Sequence, residues 1–336
     1  MFKAALVGNG YIGGVHRNGY RILKEEGSDI TLVAVCDVRP EKLEDVDGAK
    51  TYTNIDDLIA NEKDLDLIDL AVPTYLHAEL AIKCMEAGFN VMVEKPMALT
   101  EEECDKMLEC AKRTGKKFMV AHCCRFAAPM EIFRRFIQEQ KFGKPVSAFF
   151  TSTGARPDWG FENWFLDANK SGGCMLDLQA HNIDLMNWYF GMPKYVSTVA
   201  VERHDGEGYE SISANHIYDN GLYVHSWCDW GFPVNRHVVR SMRINFENGY
   251  IYNERASERN TLVAVGNDGT VTDLTGTVVM NTSTARNEIE YFANCIKTNQ
   301  IPRMNKPEES KKVIRIMRAQ EASAKENGAP VEIRED

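Results

Sequence analysis

The sequence has no C-x-x-C pair, no run of about 20 apolar residues and no excess of positive charge. Each absence closes a class. Nine cysteines, an odd number, without close pairing and several of them inside apolar runs, read as reduced thiols in a cytoplasmic protein. They give no structural zinc site, and no metal is assigned to the chain. Without a long apolar run there is no membrane-spanning helix. With 39 basic against 49 acidic residues the net charge is −10, which leaves no electrostatic footprint for nucleic acid or for an anionic membrane. The opening residues run straight into an apolar strand, so no signal peptide is expected.

What is present is an ordinary globular composition, 44% apolar and 26% charged, over 336 residues. That length exceeds what one core supports, so two domains are expected. The first half alternates short continuous apolar runs with amphipathic stretches: "KAALVG", "ITLVAVCDV", "LDLIDLAVP", "NVMVE" and "KFMVAH" read as strands. Unbroken apolar runs mean strands covered on both faces, hence a parallel, doubly wound sheet. Between the first two strands stand Gly8, Gly10 and Gly13 in G-x-G-x-x-G spacing, opening a helix, and Asp37 ends the second strand. In that context the spacing is the dinucleotide fingerprint. The turn from Gly8 through Asn9, Gly10, Tyr11 and Ile12 would carry a pyrophosphate at the helix N-terminus. Asp37 would accept both adenosine ribose hydroxyls and repel a 2′-phosphate, favouring NAD, while Arg39 softens the preference toward NADP. Val72 and Thr74, at a strand end in "VPT", would line the cofactor. Thr100 and Glu103 form a capping box for a helix closing at Gly115. His16 either faces the site or packs the first helix.

Beyond about residue 145 the pattern becomes long strand-like segments, with hairpin signals at Asn220-Gly221 and Asn248-Gly249. A second domain on a mostly antiparallel sheet follows. In "LYVHSWCDW" one face would show Tyr223, His225, Trp227 and Asp229, a surface suited to solvent or to a partner subunit. Within "SGGCMLDLQAHNIDLMNWYFG" a helix is expected, with Asp177 and His181 four residues apart on one face and Asp184 a candidate for the same face. A carboxylate beside an imidazole makes a general base near neutral pH. Arg156, Arg236 and His237 lie in or after strands and are weaker candidates for contacts to hydroxyls.

Together the glycine loop, "EKP" at 94–96, "GGCMLDLQAH" at 172–181 and the helical ending resemble the Gfo/Idh/MocA oxidoreductases over nearly the whole length. The resemblance implies an N-terminal Rossmann domain, residues 1–124, and a C-terminal domain, 125–336, built on a large open sheet, with the C-terminal helical tail packing back on the first domain. It also implies a homodimer or homotetramer. It assigns Lys95 as the active-site lysine, Pro96 as a proline usually preceded by a cis bond, and Asp177 and His181 as the acid/base pair. It puts His77 and Arg125 near the nicotinamide, with Glu94 beside the cofactor or the ammonium, and Trp164 at the substrate. Three positions depart from the family pattern: Cys174 where a third glycine is common, Phe165 where an arginine often follows the tryptophan, and Gln179 where a glycine is usual.

The implied activity is NAD-dependent hydride transfer with a secondary alcohol of a sugar or cyclic polyol, in which Lys95, Trp164, Asp177 and His181 meet the substrate. Two alternatives share the residues. One is redox-neutral glycoside hydrolysis with transiently reduced NAD. The other is a non-catalytic NAD-binding regulator.

Overall fold

The computed structural model describes residues 1–232, 239–256, 259–277 and 283–334; Arg236 and His237 lie outside them. The chain divides into two compact units, residues 1–126 with 282–311, and residues 127–281 with 312–336. The expected division at 124/125 thus stands beside a contact boundary at Phe126/Ala127. The C-terminal stretch is shared, 282–311 clustering with the first unit and 312–336 with the second.

In the first unit, β1 (Phe2–Val7), β2 (Ile30–Cys36), β3 (Lys50–Tyr52), β4 (Leu67–Leu70), β5 (Asn90–Glu94) and β6 (Phe118–Ala121) form one sheet in the order β3-β2-β1-β4-β5-β6. Every pairing in it is parallel. The connecting helices are α1 (Tyr11–Glu25), α2 (Ile55–Asn61), α3 (His77–Glu86) and α4 (Glu101–Thr114). All four residues of β4 and of β6 are buried, as strands covered on both faces require. The capping box closes on α4, and Gly115 ends it in the left-handed region at φ 69°.

In the second unit α5 (Ala128–Gln138) leads to β7 (Pro145–Ala155), followed by α6 (Ala168–Ser171), α7 (Gly173–Leu176) and α8 (Ala180–Phe190). Then come β8 (Tyr195–Val201), β9 (Ser211–Ile217), β10 (Tyr223–Phe232), β11 (Val239–Phe246), β12 (Gly249–Ala256), β13 (Arg259–Gly266) and β14 (Val271–Asp273). The nine-stranded sheet runs β14-β13-β12-β11-β7-β10-β9-β8-β15 once the last strand, β15 (Val331–Glu332), is included. It is antiparallel except where β7 pairs β10. Both hairpin signals join neighbouring antiparallel strands, β9 to β10 and β11 to β12.

Two helices late in the chain complete the cores. α9 (Thr284–Lys297) sends Ile289, Phe292 and Ala293, all fully buried, into a first-unit cluster with Ala4, Tyr20, Leu23 and Leu67. α10 (Pro307–Lys325) runs from the first unit's last segment into the second, where Ser323 Oγ accepts the Thr198 N–H of β8. On β10, Tyr223 is 47% exposed and His225 and Trp227 are half-buried, but Asp229 is buried and takes both arms of Arg203. The polar face of that strand therefore ends one alternate residue early.

Candidate active site

The parallel register of the first sheet puts Cys36, Val7, Leu70, Val93 and Val120 on one row. The residues that leave this row at the carboxyl ends of the strands are Asp37, Gly8, Ala71, Glu94 and Ala121. Chain order places them far apart, and the sheet sets them side by side. This edge is where open parallel sheets bind ligands.

At Gly8, φ is 88° and a Cβ would lie 2.3 Å from the Ala71 carbonyl oxygen, so only glycine lets β1 turn there. A Cβ on Gly13 would sit 2.0 Å from the Gly8 oxygen, which makes this glycine the packing point between loop and helix. Around Gly10 the nearest contact to an added Cβ is Arg39, at 3.6 Å. The N-terminus of α1 has no side-chain cap and no acid in its first turn. A helix N-terminus without a side-chain cap and an open glycine face fit a pyrophosphate. Asn9 is buried, Ile12 half-buried and Tyr11 70% exposed.

Asp37 accepts the Asn9 N–H at 2.8 Å on Oδ2, the Arg39 N–H and Nε at 2.9 Å on Oδ1, and Arg39 Nη2 at 3.0 Å on Oδ2. Burial alone would raise its pKa, but these donors hold the carboxyl below the usual range. A carboxylate offers about four acceptor sites, and here the chain's own N–H groups take four. Arg39 thus holds, through Nε and Nη2, two of the acceptor sites on the carboxylate that the sequence reading gives to the ribose.

His77 is buried, its Nδ1 2.8 Å from the Pro96 carbonyl and its Nε2 2.9 Å from that of Val72. Burial lowers its pKa, leaving one N–H to serve two carbonyls. The ring thereby ties together the chain segments that follow β4 and β5. Thr74 is buried at the start of a 3₁₀ turn, Thr74–Leu76. Arg125 is 2% exposed and donates to the Met304 carbonyl at 2.6 Å. Lys95 is half-buried, and the Lys95–Pro96 peptide is cis.

In the second unit Asp177 and His181 do not share one continuous helix. Asp177 follows α7, and His181 stands in the first turn of α8. The Gln179 N–H reaches back five residues to the Cys174 carbonyl at 3.0 Å, and the turn 177–179 interrupts the single helix expected from the spacing. His181 and Asp184 are buried, Asp177 half-buried. Gln179 donates to Ser226 Oγ on β10 at 3.2 Å, so the side chain found where glycine is usual is part of the core. Trp164 stacks on Phe165 with ring centres 3.9 Å apart, in the 3₁₀ turn Phe161–Leu166. Arg156, among the weaker candidates, is ion-paired with Glu207.

Two family models match the chain. One, described as the oxidoreductase family with NAD-binding Rossmann fold, covers residues 2–122; the other, the GFO/IDH/MocA C-terminal domain, covers 130–252. The chain belongs to the Gfo/Idh/MocA oxidoreductase family. A 2,7-anhydro-N-acetylneuraminate hydratase of Mediterraneibacter gnavus is 33% identical over 237 residues, covering 68% of this chain and 60% of that protein. The chain thus spans well under two thirds of that relative's length. A D-glucoside 3-dehydrogenase of Escherichia coli is 25% identical over 269 residues, 73% of this chain and 74% of the relative. The fold matches that of a levoglucosan dehydrogenase solved with NADH, with a TM-score of 0.88 over 100% of both chains at 18% identity. No described helix is long and apolar enough to cross a membrane.

The first unit also holds a buried ionisable cluster that the sequence motifs do not mark. His16 of α1 is 1% exposed, its Nδ1 2.9 Å from Asp69 Oδ2 and its Nε2 2.9 Å from Glu94 Oε1. Tyr20 donates to Asp69 at 3.1 Å. Glu288 of α9 is fully buried, with one oxygen 3.9 Å from His16 Nε2. His16, Glu94 and Glu288 each bring one potential metal-ligand atom within 4.8 Å of the others. The signal for this cluster was an acid, Asp69, inside a strand covered on both faces, since a buried carboxylate there requires a donor.

Proposed function

We propose that the protein is an NAD-dependent oxidoreductase acting on a secondary alcohol of a sugar or cyclic polyol. The observation that carries this is the strand-end row, which brings the glycine turn, Asp37, Val72 and Thr74, and Glu94 with Lys95 to one edge of a parallel sheet. The residues there fit NAD: an uncapped helix N-terminus, a glycine whose Cβ position is open, and a carboxylate at the end of β2. When bound, the nicotinamide supplies the hydride acceptor. His181 takes the hydroxyl proton, Asp177 orients that ring and stabilises its cationic form, and Lys95 stabilises negative charge on the carbinol oxygen. Trp164 packs against the substrate's apolar face. His77 and Arg125 shape the nicotinamide end, and Arg39 with Asp37 the adenosine end. A homodimer or homotetramer built on the open sheet belongs to the same reading.

A relative named as a dehydrogenase of glucosides supports the substrate class. A relative named as a hydratase favours a second reading, in which the cofactor is reduced and reoxidised within one turnover. The test is a panel of sugars, inositols, anhydrosugars and glycosides with NAD and NADP, scoring NADH formation, water addition or loss, and aglycone release. Turnover with net NADH supports the first reading. Turnover without added cofactor or net NADH supports the second. His181→Ala and Lys95→Ala are each expected to lose about 10²-fold or more in rate while still binding NAD; near-normal turnover in either variant removes its assignment.

A further inference from the structure

Beneath Lys95 lies a buried set of ionisable groups that hydride transfer does not itself require. Glu94 Oε2 accepts the backbone N–H of Lys95 at 2.9 Å, and Glu94 Oε1 meets His16 Nε2 at 2.9 Å. The opposite ring nitrogen lies 3.1 and 2.9 Å from the two oxygens of Asp69. Both ring nitrogens of His16 therefore face carboxylate oxygens, which accept and do not donate when ionised. A neutral imidazole has one N–H and satisfies one side; an imidazolium satisfies both.

The surroundings agree with that charge. Burial would lower the His16 pKa, but Asp69 and Glu94 outweigh it and raise it well above the ordinary value. The same contacts hold Glu94 below the usual carboxylate range against its own burial. Glu288, from α9, is pushed the other way, its pKa raised by burial and by the neighbouring Glu94 and Asp69. The remaining groups facing the cluster are Tyr20, whose pKa rises through burial and Asp69, the thiols of Cys123 and Cys124 in the 3₁₀ turn after β6, and Lys95 itself. With a proton on Glu288, the charges of Asp69 and Glu94 are balanced by His16 and Lys95. A buried cluster has to close its charge in some such way, because an isolated ion in the interior costs several kcal/mol.

We propose that His16 is a positioning residue for Lys95: a ring anchored on Asp69 holds the Glu94 carboxylate, and that carboxylate fixes the peptide from which the lysine projects. This rests on the reading of Lys95 given above. Glu94 is then a fixed negative charge next to the ammonium, held on one oxygen by His16 and on the other by the Lys95 amide.

The test uses the full chain and has arms that do not depend on a substrate. In histidine labelled with ¹⁵N, with His16→Asn identifying the signal, the His16 ring should show two protonated nitrogens unchanged from pH 6 to pH 9. A ring that is neutral at pH 7.5 overturns the proposal, as does stoichiometric zinc or another divalent metal in the purified protein. In lysine labelled with ¹³C and ¹⁵N, Glu94→Gln should move the Lys95 titration to lower pH than in the native protein, since a neighbouring anion is removed. An unmoved titration overturns it. With any substrate that passes the panel above, His16→Gln and Glu94→Gln should lower kcat by about a hundredfold with KM for NAD within about twofold. They should also shift the alkaline limb of the pH–rate profile downward. Variants that are less stable but keep the native kcat and pH profile show a purely structural cluster and overturn the proposal. If no compound is turned over, the function reading fails while the two labelling arms still decide this one.

Discussion

Arg39→Ala should tighten NAD binding. Arg39 spans Asp37 with Nε on one oxygen and Nη2 on the other, at 2.9 and 3.0 Å. On the proposed reading the adenosine ribose takes acceptor sites on that same carboxylate, so part of the binding free energy goes into opening the fork. A hydrogen bond to a charged group contributes about 1.5–3 kcal/mol where water is excluded, and an exposed ion pair about 0.2–1. Here the carboxylate side chain is 3% exposed and the guanidinium 20%, between those limits. About 1–2 kcal/mol for the fork is a fair figure, and removing it corresponds to roughly five- to thirtyfold in Kd. NADP should respond in the opposite direction, because the released guanidinium is the cation positioned to meet a 2′-phosphate. Isothermal titration of both cofactors against the native protein and the variant checks this. NAD binding equal to or weaker than that of the native protein would refute the competition argument. It would mean that Arg39 contributes more to the adenosine than it withholds.

Two further outcomes concern stability. His216 is fully buried, 3.2 Å from the Val224 carbonyl through Nδ1 and 2.9 Å from the Gln320 amide nitrogen through Nε2, which suits a neutral ring donating on one side and accepting on the other. Burial pushes its pKa down to about 4, so below pH 6.5 the unfolded chain binds a proton that the folded chain refuses. Stability should therefore fall by about 3 kcal/mol between pH 7 and pH 4 on account of this group; urea unfolding across that range should show a shallower slope for His216→Gln, and an identical slope counts against the assignment. Phe292→Ala removes a fully buried ring from the first-unit core and should cost about 3–5 kcal/mol by the same measurement, with a loss under about 1 kcal/mol showing that α9 is not part of that core.

The first unit was legible because its signals are local. A strand covered on both faces writes its own apolar run, and a turn that tolerates no Cβ writes its own glycine, so the sequence alone places Val7, Gly8, Gly13 and Asp37 at strand ends and turns. The missing parts are those whose cause is distant in sequence. The residues of Thr284–Lys297 do not by themselves name residues 1–126 as their partner; the family resemblance put the helical tail on the first domain, and the partners of Phe292 and Ile289 lie there. β12 was marked only by the hairpin signal at Asn248-Gly249: it alternates Tyr250, Tyr252 and Glu254 with buried Ile251 and Asn253, and that polarity hides a strand lying inside a sheet. The helix break between Asp177 and His181 lies at an i, i+5 hydrogen bond from Gln179 to Cys174, and a count of residues along the chain does not contain it.

Glu94 shows how far a motif can be read and where physics has to take over. In sequence, the acid before the lysine looks like a group delivered to a ligand along with it. In the structure its two oxygens meet the His16 ring and the Lys95 N–H. Glu94 ends β5 in the layer it shares with His16 of α1, and is 8% exposed. An acid in that layer is tolerated only with a donor, and α1 supplies His16 from two turns inside the glycine loop, itself backed by Asp69 one strand away. Hydrogen bonds thus run from α1 through His16 to Glu94 and on to the Lys95 amide. The glycine turn that opens α1 and the lysine at the end of β5 are joined by this chain of contacts, although the motifs that mark them lie more than 80 residues apart in the chain.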